Sequence, residues 1–115
     1  MLTKATAENA HALNIRISAL CRRIKNDNNK IYVELFEKSS ISFTMNIYKV
    51  CRIVKITDVL PYAINALEDL CEIEYFVKYF RDQRLIPEDQ AMFILEPAAI
   101  IRKTLSRAIK LAMIK

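Results

Sequence analysis

The chain has no glycine, no tryptophan and only 3 prolines in 115 residues. Tight turns with positive φ favour glycine, so its absence argues against an all-β fold and for helices. It also excludes a Gly-rich phosphate loop and a dinucleotide fingerprint. Histidine is limited to His11. A di-metal carboxylate bundle needs more than one Glu-x-x-His pair, and Glu8 with His11 is the single pair of that spacing. The 3 cysteines, Cys21, Cys51 and Cys71, form no C-x-x-C pair and are odd in number. That excludes a zinc-type spacing, argues against a secreted disulfide framework, and fits a reducing cytoplasm. No apolar run approaches the roughly 18 residues of a membrane span, and the first twelve residues contain no apolar signal-peptide core. No nucleophile stands beside a base that would activate it. The expectation is a cytoplasmic protein that is not an enzyme, with no metal, cofactor, small-molecule substrate or membrane partner.

What is present is a globular composition: 53% hydrophobic and 27% charged, with a formal net charge of +5. At this length it predicts one domain, residues 1–115, able to bury its own core. The charge is uneven. Segments 1–29, 30–55 and 87–115 are net positive, and 56–86 is net negative. A basic balance suits nucleic acid or an acidic protein.

Apolar spacing predicts four helices. Ala10, Leu13, Ile17, Leu20 and Ile24 make the first seam, capped near Thr3 or Thr6 and ended by Asn26-Asp27-Asn28-Asn29. Val33, Phe36, Ser40, Phe43, Ile47, Val50 and Val54 make the second, over about 30–55, and override the weak helix propensity of residues 39–44. The third begins at Thr57 or Asp58, with Pro61 in its first turn and Ala63, Leu67, Leu70, Ile73, Val77 and Phe80 inward. The fourth starts at Pro87 and carries Ile94, Ala98, Ile101, Leu105, Ala108 and Ala112, with Pro97 expected to kink it. Four such helices with short connections give an all-α, antiparallel up-down-up-down four-helix bundle.

Off these seams lie two charged sets. Arg16, Arg22, Arg23, Lys49, Arg52, Arg102, Lys103, Arg107 and Lys110 are the candidate nucleic-acid contacts, able to hold phosphates without reading bases; an ordinary solvated face is the alternative. Glu68, Asp69, Glu72 and Glu74 make the third helix acidic: either a solvated face or an oligomer interface toward a basic helix of a neighbouring subunit. Phe36, Phe43 and Phe80 read as core. Tyr32, Tyr48, Tyr62, Tyr75 and Tyr79 read as edge positions or subunit contacts.

Three stretches carry a family resemblance. Residues 35–47, Leu-Phe-Glu-Lys-Ser-Ser-Ile-Ser-Phe-Thr-Met-Asn-Ile, resemble a second-helix pattern ending S-I-x-x-N-I, matched at Ser42, Asn46 and Ile47. Residues 63–70, Ala-Ile-Asn-Ala-Leu-Glu-Asp-Leu, are similar to A-L-x-S-L-x-E-L. Residues 84–90 and 101–110 resemble a last helix of the form I-G-R-x-L-x-G-x-I-K, with Arg102 and Arg107 where glycine is preferred. The pattern is that of a bacterial four-helix-bundle family. One branch is encoded in intervening sequences of ribosomal RNA genes; the other is the Avd accessory protein of diversity-generating retroelements. Ile47-Tyr48-Lys49 and the basic balance look more like the Avd branch. That resemblance implies a cytoplasmic homopentamer that docks a reverse transcriptase and its template RNA or DNA and catalyses nothing. The alternatives are an intervening-sequence bundle with another partner, or a purely protein-binding helical adaptor.

Overall fold

The computed structural model describes residues 2–53 and 55–114. Four helices run in chain order: α1 (Lys4–Ile24), α2 (Lys30–Arg52), α3 (Ile56–Asp82) and α4 (Glu88–Met113). Each packs on the next and α4 closes against α1, while the backbones of the diagonal pairs stand further apart. This is the antiparallel up-down-up-down bundle, with principal-axis extents of 46 × 21 × 20 Å. The long dimension follows from 27 residues in α3 at about 1.5 Å each.

The seams are the core. On α1 the expected residues through Leu20 are buried, on α2 every expected residue through Val50, and on α4 all six; on α3 Leu67 is half-buried and the rest are buried. Val54 lies outside the described residues. Phe36, Phe43 and Phe80 are fully buried, and Phe36 meets Phe80 edge-on at 5.4 Å. Tyr32 and Tyr75 stay exposed at the edge of this cluster, where Tyr79 links them at 5.2 and 6.3 Å.

Residues 39–44 are helical because their hydroxyls find partners without breaking the ladder. Ser40 Oγ donates to Asn14 Oδ1 on α1 at 2.6 Å, and Thr44 Oγ1 donates to the Ser40 carbonyl at 2.8 Å. The asparagine turn stops α1 through its own side chains. Asn26 Oδ1 accepts from the backbone N–H of Asn28 and Asn29, and Asn29 Nδ2 donates to the Ile24 carbonyl at 2.7 Å.

Two helix starts differ from expectation. α3 begins at Ile56, because the Asp58 N–H reaches the Lys55 carbonyl at 3.1 Å and tightens an earlier turn, so Pro61 stands in the second turn. Pro87 is the N-cap of α4 rather than its first residue. The α3–α4 connection ends α3 in a Schellman motif: Leu85 N–H to Phe80 carbonyl and Arg84 N–H to Arg81 carbonyl, both 2.9 Å. Its left-handed position belongs to Arg84, at φ 61°, since the chain offers no glycine.

Candidate nucleic-acid interface

The topology sorts charge by end. One end gathers the start of α1, the α2–α3 junction and the close of α4. The described half of the bundle at that end holds eight basic residues (Lys4, Lys49, Arg52, Lys55, Arg102, Lys103, Arg107, Lys110) against three acidic ones (Glu8, Asp58, Glu68). The other half, residues 15–41 and 69–100, holds nine basic and ten acidic residues. The positive excess is therefore polarised along the long axis.

The nine candidate cations separate accordingly. Lys49, Arg52, Lys103, Arg107 and Lys110 are exposed at the cationic end with no carboxylate partner among the described residues. Lys49 Nζ stands 5.4 Å from the centre of the Tyr62 ring. Arg16, Arg22 and Arg23 lie in the opposite half. Arg22 donates to Ser18 Oγ at 3.2 Å, and Arg23 donates to Gln90 Oε1 at 3.3 Å. Arg102 is committed inside the subunit, pairing with buried Glu74 across α3 and α4.

Arg16 has a structural task. Pro97 has no N–H, so it leaves the carbonyl of Phe93, one turn back, without its helical donor. Arg16 Nη1 donates to that carbonyl at 2.9 Å, and its guanidinium covers the Phe93 ring at 3.9 Å from the centroid. α4 continues through Pro97 as one helix.

The acids of α3 are mostly engaged within the subunit as well. Ser42 Oγ and Asn46 Nδ2 donate to Asp69 Oδ2 at 2.7 and 3.2 Å, and Ser39 Oγ donates to Glu72 Oε1 at 2.9 Å. Ser42 and Asn46, the matched positions of the second-helix pattern, thus bind Asp69 of the third-helix pattern. Two loosely matched motifs become one polar seam between α2 and α3. Glu68 alone of the four is exposed without a hydrogen-bond partner among the described residues.

Lys4 and Lys55 also belong to the cationic end; Lys55 closely follows Lys49 and Arg52 in the sequence, whereas Lys4 joins them only through the antiparallel topology. Glu8 and His11 are both exposed on α1, and among the described residues no three His, Cys, Asp or Glu side chains are grouped to hold a metal. No described helix is long and apolar enough to cross a membrane.

Neither a family model nor a curated protein matches this sequence. The fold is similar to the crystal structure of a protein of unknown function from the S23 ribosomal protein family of Bacteroides thetaiotaomicron VPI-5482. The TM-score is 0.82 at 21% identity, covering 91% of this chain and 98% of that one. At that identity the likeness establishes the bundle and its topology.

Proposed function

We propose that this protein is a non-enzymatic basic adaptor that binds RNA or DNA through phosphate contacts at the cationic end of its bundle. The observation that carries the reading is the convergence of Lys49, Arg52, Lys103, Arg107 and Lys110, from α2 and α4, as exposed cations without carboxylate partners among the described residues. Such groups attract a polyanion without reading its sequence, because each contact releases condensed counterions rather than matching a base edge. The resemblance at residues 35–47, 63–70, 84–90 and 101–110 extends this to an Avd-like, cytoplasmic homo-oligomer, a pentamer, that holds a reverse transcriptase on its template. Three unpaired thiols fit a reducing compartment.

The test is RNA and duplex DNA binding across salt, on protein whose mass is fixed by light scattering. About four phosphate contacts give a slope of about −3 in log K against log salt. Lys103→Glu with Arg107→Glu should reduce that slope by about 2. Affinity indifferent to salt would sink the phosphate reading. A monomeric mass would sink the ring while leaving the cationic end intact.

A further inference from the structure

Over their whole length α1 and α4 pack more loosely than the other neighbouring helices. A groove of about 420 Å³ opens between them, floored by Ala19, Leu20 and Ile94 and walled by Ile15 and Phe93. Past Arg16 it continues as a smaller trough of about 170 Å³ along Ala12 and Ile100. Ile15, Phe93 and Ile100 are 54%, 56% and 64% exposed, so large apolar side chains face water on both sides of Arg16.

Two guanidinium groups stand on the same groove. Arg16 rests on a carbonyl and a ring, and Arg23 on a side-chain amide; neither has a carboxylate partner among the described residues. Asp89 lines the groove, yet Arg23 contacts Gln90. Arg16 and Arg23 are seven residues apart on α1, about 10 Å along the axis. A helix laid in the groove repeats its own face at the same interval. The small Ala12 and Ala19 allow close approach, while Phe93 is the single aromatic of the lining, short of the successive platforms that stacked bases use.

We infer that the α1–α4 groove is a docking site for an acidic amphipathic helix of a partner protein. Apolar side chains of the partner cover Ile15, Phe93 and Ile100, and carboxylates seven residues apart reach Arg16 and Arg23. The site is separate from the phosphate surface, so either can fail alone.

The probe is a stapled 15-residue amphipathic peptide with leucines at 3,4 spacing and two glutamates seven residues apart, followed by fluorescence anisotropy. Its control carries lysines at the two glutamate positions. The glutamate peptide should bind at least tenfold more tightly than the control. Ile15→Glu and Arg23→Glu, both at exposed positions, should each weaken it about tenfold while RNA binding at the cationic end is retained in Ile15→Glu. Equal binding of the two peptides overturns the proposal. So does affinity that survives both groove variants and is lost on Lys103→Glu with Arg107→Glu. A drop in native mass on Ile15→Glu assigns the groove to a second copy and overturns it too.

Discussion

Arg16 replaces a hydrogen bond that Pro97 removes, and this can be measured as a coupling between the two residues. The bond from Arg16 to the Phe93 carbonyl is charge-assisted, at 2.9 Å, on a half-buried side chain. Such a bond contributes about 1.5 kcal/mol, at the low end of the charged range because water still reaches the group. Stacking on the Phe93 ring at 3.9 Å adds about 0.5–1 kcal/mol. Arg16→Ala should therefore cost about 2 kcal/mol. Pro97→Ala restores an amide to the Phe93 carbonyl and should stabilise by about 1–2 kcal/mol after the lost rigidity of the unfolded chain is counted. In that background the carbonyl is already satisfied, and Arg16→Ala should cost only the stacking, about 1 kcal/mol. The coupling is then about 1 kcal/mol, or about 4 °C in Tm for a domain of this size. Urea melts of the four proteins at one fixed concentration measure it. Additivity to within about 0.3 kcal/mol would refute the assignment, leaving Arg16 an ordinary surface cation.

Arg102→Ala should lower stability by about 2 kcal/mol and leave the salt slope of RNA binding unchanged, since it strands buried Glu74; the value is kept below that of a fully buried pair because the Arg102 side chain is 39% exposed. A melt unchanged by that variant contradicts the assignment. Arg84→Gly should raise stability by about 1 kcal/mol in the same melts, because it removes a side chain from the left-handed position of the Schellman motif. Burial, with help from the Glu37 charge, pushes the Cys21 thiol up to about 12. At pH 8 a thiol reagent should therefore modify exposed Cys71 at once and Cys21 only at the rate of opening. Above about pH 9 the unfolded thiol loses a proton that native Cys21 keeps, so stability should fall as pH rises; a flat profile from pH 8 to 10.5 argues against the buried thiol. Alanine at Lys103 and Arg107 should weaken RNA binding with Tm changed by no more than about 1 °C, whereas alanine at Lys49, Arg52 or Lys110 should lower both.

Periodicity made the fold legible because each helix carries one continuous apolar seam and the connections are short. Even Ser40, a polar residue in a core position, fits once Asn14 is found opposite it. The start of α3 was less legible, since Thr57 and Asp58 look like caps, while the backbone closes an earlier turn on Lys55 that no side-chain type announces. Of the candidate site, Lys49, Arg52, Lys103, Arg107 and Lys110 were visible as off-seam cations. The roles of Arg16 and Arg102 were not. An arginine off the core seam lies either on the outer surface or on the flank facing a neighbouring helix, and a few tens of degrees of helix rotation separate the two. What fixes Arg16 is a proline 81 positions away, and what fixes Arg102 is a glutamate on the adjoining helix.

Helix electrostatics account for some of the cationic end without any ligand. The C-termini of α2 and α4 both lie there, and each carries partial negative charge that a cation in its last turn offsets. Lys49 and Arg52 occupy the last turn of α2, and Lys110 that of α4. Their presence is therefore part of what stabilises the helices. That effect fades within one turn, and Lys103 and Arg107 stand further back, about two to three turns and one to two turns from the end of α4. They are exposed and have no carboxylate partner among the described residues. Beside them, Arg102 already satisfies the one buried acid of α3. Neither the dipole nor an ion pair gives folding a reason to keep positive charge at those two positions. An external polyanion supplies one, and for that reason Lys103 and Arg107 are the pair on which the phosphate reading rests.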